Sequence, residues 1–130
     1  MQYLGIPAAA VAAWLFGAVY YTALGKAYQA ALGQNPDDCK DKKMPLTPLL
    51  VCLGAELVMA IAFAYILPRM SVVGWNWGAM VGFYIGIGVI VPTTVVNNIF
   101  PGRNSRLSLI DGAHWVGVAT IIGTVTGLFA

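Results

Sequence analysis

Four apolar stretches, each about twenty residues long and nearly free of charge, occupy most of the chain, at about 3–24, 46–67, 78–96 and 107–129. At 1.5 Å of rise per residue, each matches the roughly 20 residues that cross a bilayer's hydrocarbon core as a helix. Only 9% of the 130 residues are charged, against roughly 25% in soluble domains, so a water-facing shell cannot be assembled from them. The expectation is an all-α membrane protein, a single four-helix transmembrane bundle over residues 1–130. The first stretch has no basic residue before it and Lys26 after it. A secretory signal has its charges in front, so this stretch reads as a retained span.

Basic residues orient such a chain. Lys26, Lys40, Lys42 and Lys43 lie in the connection 25–45, Arg103 and Arg106 in the third connection, and Arg69 alone in the second. Four spans put the first and third connections on one side, which is therefore expected to be cytoplasmic, with both termini outside. A multi-pass protein of the cell inner membrane follows. Residues 26–32 extend as a short interfacial helix that Gly33 ends. Asp37, Asp38 and Asp41 alternate with lysines and lack calcium-loop spacing, so they read as solvated loop. Cys39 falls on the reducing side and Cys52 within a span, so no disulfide is expected. One histidine and no paired cysteines give no metal or haem spacing, and no cofactor is expected. A net charge of +2 gives no case for nucleic acid as a partner.

Helices in lipid associate through small residues that let backbones approach. The first stretch has Gly5, Ala9, Ala13 and Gly17 at four-residue steps, and the third has Gly78, Gly82 and Gly86. The fourth has Ala113, Gly117, Thr120, Thr124 and Gly127 at steps of four and three. With so many seams in so small a bundle, the expected partners are the lipid bilayer and a second copy or a larger membrane complex. The stripe of the third helix is available for that contact. Pro92 should break the third helix, with Thr93, Thr94, Asn97 and Asn98 placed to satisfy the freed groups. Tyr20, Tyr21, Tyr28, Lys26, Arg103 and Arg106 on one side, and Trp75 and Trp77 on the other, read as interfacial residues. Gly25 reads as a helix stop.

Three ionisable residues interrupt the apolar stretches. Glu56 stands ten residues into its span, roughly 15 Å deep, where a charge costs about 2.5 kcal/mol or more. It must be neutral, paired, or turned to protein or water. Cys52, Glu56, Met59 and Phe63 form one helical stripe. Asp111 and His114, three residues apart, share a face at roughly 7 and 12 Å from Arg106. Facing the two stripes matches Glu56 in depth to His114 and draws a buried polar line from Asn97 or Asn98 through Asp111 and His114 to Glu56. The first reading of the chain is a structural, accessory or self-assembling membrane subunit whose line is hydrogen bonds tying helices; the alternative is a small proton-coupled transporter or channel using Glu56 with Asp111 and His114 as a coupling route. No nucleophile and base stand at a usable spacing, so the chain is not expected to be an enzyme. Leu53–Glu56 and Asp111–His114 share a Gly-Ala-polar pattern, a match too short to establish a duplication.

Two segments carry a family likeness. Gly17, Tyr20, Tyr21, Leu24, Gly25, Lys26 and Tyr28 follow a pattern like Gly-x-x-Trp-Tyr-x-x-Leu-Phe-Gly-Lys-x-Trp, with Tyr20 for the tryptophan and one residue fewer before Gly25. Leu107, Leu109, Ile110 and the residues to His114 resemble Leu-x-Leu-Ile-x-x-Gly-Tyr. Together they resemble the bacterial membrane proteins grouped as domain of unknown function 1761. The resemblance implies the four-span architecture over essentially the whole chain and no established activity.

Overall fold

The computed structural model describes residues 2–35 and 46–130. Among them regular structure is helical throughout, with no strand. Lys40, Lys42, Lys43, Cys39, Asp37, Asp38 and Asp41 lie outside the described residues.

A short turn over Gln2–Leu4 leads into α1, Gly5–Ala23. Pro7 falls in its first turn, where no N–H partner is lost. The helix breaks at Leu24 (φ −103°), and α2, Gly25–Ala31, follows at once. Gly25 thus starts a helix instead of stopping one. The stop is Gly33, whose φ of +79° is the left-handed conformation that glycine adopts without strain.

The second span, α3, is Leu46–Arg69, with Pro68 in its last turn. The third comprises α4 (Trp75–Ile85), a wide π turn over Gly86–Ile90, and α5 (Val91–Ile99). That turn is the answer to Pro92. The Val91 N–H reaches back five residues to the Gly86 carbonyl, and the Thr93 hydroxyl donates to the Val89 carbonyl at 2.7 Å. The break is therefore absorbed by backbone and one threonine, and Asn98 is used elsewhere. The last span, α6, is Ser105–Leu128. Its start is capped by Asn104, whose side chain accepts the Arg106 N–H at 3.0 Å, a preferred N-cap arrangement.

Among the described residues four helices are long and apolar enough to cross a membrane: Gln2–Ala23, Leu46–Arg69, Trp75–Ile99 and Ser105–Leu128. The segment from α4 to α5 extends the expected third span by three residues at each end. Helix α6 is central. It packs against α1, α3 and the α4–α5 span, α1 also packs on α3, and α3 and α4 scarcely touch. The core is small-residue packing around a few large side chains: Ala9, Ala10, Ala13, Ala60, Phe63, Leu67, Val118, Ala119 and Ile122. Large apolar side chains such as Leu15, Val19, Leu50 and Val58 point outward, as lipid-facing residues do.

The expected seams of α1 and α4 are realised. Gly5, Ala9, Ala13 and Gly17 are buried, as are Gly78, Gly82 and Gly86. The α4 stripe meets α6 of the same chain, so it is consumed within one copy. A Cβ on Gly78 would fall on the Gly123 carbonyl, and one on Gly82 on the Ala119 carbonyl. The α6 seam differs from expectation. Thr120 and Gly127 meet α4 as expected, but Ala113 is exposed, Ala119 and Gly123 join the contact with α4, and Val116 meets Gly86 of the π turn. Gly117 faces α1 instead, where Phe16 would stand 2.6 Å from a Cβ. One stripe was expected where α6 presents two faces to two neighbours.

Candidate functional site: two buried ionisable side chains

The α3 stripe turns inward as its spacing implies, since a carboxylate facing lipid is expensive. Cys52 and Met59 are half-buried, and Glu56, Ala60 and Phe63 are buried. Glu56 is 0% exposed, and neither carboxyl oxygen has a hydrogen-bond partner on another helix, the Cys52 thiol one turn back on α3 being its polar neighbour. The residues farther along its face, Ala60, Phe63 and Leu67, belong to the apolar core.

Other polar side chains do tie helices together. The Trp14 indole N–H donates to the Leu49 carbonyl at 3.0 Å, and the Gln2 amide to the Ala64 carbonyl at 2.6 Å. These two bonds fix the antiparallel register of α1 on α3. Interpolating between them sets Glu56 opposite the Ala8–Ala9 stretch.

His114 is 2% exposed, and both its ring nitrogens lack partners. Four aromatic rings surround it. Phe16 lies parallel at 6.0 Å between centroids, Tyr20 at 5.5 Å, Tyr21 at 4.8 Å and Trp115 edge-on at 5.0 Å. Gly17 makes room for the imidazole, because a Cβ there would stand 2.9 Å from Nε2. His114 therefore sits opposite Gly17, about two helical turns along α1 from the level of Glu56, on the order of 10 Å.

This overturns the expected depth match and the continuous polar line. Asp111, half-buried, accepts the Tyr21 hydroxyl at 2.6 Å instead of pairing with His114. Asn98, buried, donates to the Ser108 hydroxyl at 3.2 Å and accepts from Arg103 at 3.4 Å. Asn97 is exposed and belongs to no network with these. The line is in fact four separate pieces: Arg103–Asn98–Ser108, Tyr21–Asp111, His114 and Glu56. The cause is register: equal counts from the helix ends do not give equal heights once the helices interlock.

Tyr20 and Tyr21 are walls of the His114 site. The Tyr20 hydroxyl donates to the Ile110 carbonyl at 2.7 Å. Tyr28, on α2, lies between Asp111 and Arg103. Burial, with the Asp111 charge next, pushes its phenol up from the ordinary tyrosine range, while Arg103 pulls the other way. Lys26, Arg103 and Arg106 are exposed at this end, and Trp75 and Trp77 are exposed at the start of α4. Sequence reasoning passed over Phe16 and Trp14. Phe16 and Tyr20 stand one turn apart beside the small-residue stripe of α1, and that spacing was the available signal.

Among the described residues no group of three histidine, cysteine or carboxylate side chains comes together. An ionised carboxylate left unpaired in such surroundings costs several kcal/mol, and a protonated one less.

Residues 4–127 match the family model described as Protein of unknown function (DUF1761). The match covers nearly the whole chain, which belongs to that family. No curated protein and no solved structure matches it.

Proposed function

We propose that this family member is a small multi-pass protein of the bacterial inner membrane whose helices enclose a proton-exchanging carboxyl at Glu56, serving a proton-coupled carrier or channel. One observation carries the reading: a fully buried glutamate has no hydrogen-bond donor on a neighbouring helix, only the Cys52 thiol one turn back on its own. A glutamate acting as a helix tie would hold a donor on a neighbouring helix, as Asp111 holds Tyr21. The test is labelling by dicyclohexylcarbodiimide, which attacks protonated carboxyls in apolar surroundings, in membranes over a pH series. Adduct at Glu56 that falls as pH rises, absent in Glu56→Gln, supports the reading. A Glu56 that stays unlabelled at every pH, while carboxyls of the detergent-unfolded chain react, overturns it.

A self-assembling or accessory subunit is the second reading. It is supported by the third span, whose most apolar window is only 11% buried, the least of the four. Met80, Phe83, Tyr84 and Ile87 are all exposed there, a face that a second copy or another membrane chain would cover. With Cys39 and Cys52 replaced, Phe83→Cys should form disulfide-linked dimers in oxidised native membranes. Val58→Cys, on the outward face of α3, should not. Equal yields from both would sink the assembly face.

A further inference from the structure

The end of the molecule opposite α2 carries a cavity of about 210 Å³ between the first turns of the chain and the last turns of α3. Its walls are Gln2, Tyr3, Ile6, Ala64, Tyr65 and Arg69. Arg69 is held in place twice. Its Nη1 donates to the Tyr65 carbonyl at 2.7 Å, and its guanidinium lies 4.9 Å from the centroid of the Tyr65 ring, within reach of a cation–π attraction. A guanidinium has five N–H donors in a planar fork, and this bond uses one.

Among the described residues no side-chain carboxylate meets the rest. The chain's acidic residues are Asp37, Asp38, Asp41, Glu56 and Asp111. The first three belong to the connection between α2 and α3, Asp111 to the α2 end, and Glu56 to the middle of α3. A cation with spare donors, beside a cavity that also has two phenols and an amide, is suited to an anion.

Depth narrows the anion's class. Arg69 stands thirteen residues beyond Glu56, about 20 Å along the helix. Half the hydrocarbon thickness is about 15 Å, so with Glu56 near the midplane Arg69 reaches the level of lipid phosphates. Phosphate matches the arginine fork, which can donate two parallel bonds to it. The cavity is several times the ~30 Å³ share of a water molecule, room for a phosphate and the first atoms of its ester.

We infer that the Gln2–Tyr65–Arg69 cavity binds a phosphate group, that of a phospholipid headgroup or the free ion. The inference is independent of proton exchange at Glu56. It is tested by native mass spectrometry of the full chain in detergent, given phosphatidylglycerol, diacylglycerol of the same chains, or inorganic phosphate. Phosphatidylglycerol should stay bound and diacylglycerol should not. Arg69→Gln should weaken retention about tenfold, the effect of losing a charge-assisted contact. Arg69→Lys should fall between, having the charge without the fork. Arg106→Gln, at the other end, should match the wild type and control for unspecific charge effects. Release of the lipid by inorganic phosphate assigns the free ion as the source, and persistence of the lipid assigns the headgroup; both uphold the site. Arg69→Gln retaining lipid as the wild type does, or diacylglycerol binding equally well, overturns it.

Discussion

Gly17 is the residue on which the His114 surroundings depend. The imidazole occupies the space a side chain would take, with Nε2 placed 2.9 Å from where a Cβ would stand. Gly17→Ala should therefore destabilise the protein by about 1–3 kcal/mol, the usual cost of overpacking a tight site. His114→Ala removes the obstructing ring. The double variant should then recover part of the loss, with a coupling above about 0.5 kcal/mol in a thermal-unfolding cycle in detergent. Additive losses would mean that glycine matters only for its backbone. That Glu56 must be neutral, paired or turned to protein or water was legible in the sequence, because a charge is costly in lipid; which of these holds was not. The surroundings of His114 were not. Phe16, Tyr20 and Tyr21 come from another helix ninety-odd positions away, and their rings reach it through an α1–α6 register that no spacing within α6 encodes.

At the level of helices, the glycines sort by what a methyl group would meet. On α4, a Cβ at Gly82 would collide with the Ala119 carbonyl, which is backbone and cannot rotate aside. On α3, Gly54 has nothing within 4 Å. Gly82→Ala is therefore expected to lower the unfolding midpoint by an amount equivalent to about 2 kcal/mol or more. Gly54→Ala should leave it unchanged or raise it by up to about 1 kcal/mol through helix propensity. Equal effects would contradict the α4–α6 seam. The four spans were readable to within three residues at every end, because length and apolarity leave a spanning segment little choice. Pro92 was readable as a break but not as a π turn. The form of the break depends on the Gly86 carbonyl accepting from Val91, one residue beyond the ordinary helical spacing. The face of α6 that meets α4 was read at Thr120 and Gly127 but not at Ala119 and Gly123, since small residues line two of its sides.

Taken whole, the molecule separates its charges by end. Lys26 on α2 and Arg103 and Arg106 at the start of α6 lie at one end, with Tyr28 between Asp111 and Arg103. Arg69 lies at the other, together with the cavity and the exposed Trp75 and Trp77. Lys40, Lys42 and Lys43 join the first group by their position in the chain. Basic residues in short connections are retained on the cytoplasmic side during insertion, so the α2 end should face inward and the Arg69 end outward. This has a direct check in intact cells with a membrane-impermeant maleimide. With Cys52 replaced by alanine, Cys39 should react only after the cells are permeabilised. In a chain with Cys39 also replaced, Ser71→Cys, at a turn just past Arg69 with φ of +57°, should react from outside. Early labelling of Cys39 and protection of the cysteine at 71 would invert the topology. Partial labelling of both would mean that copies insert both ways round, which the six-to-one division of basic residues argues against.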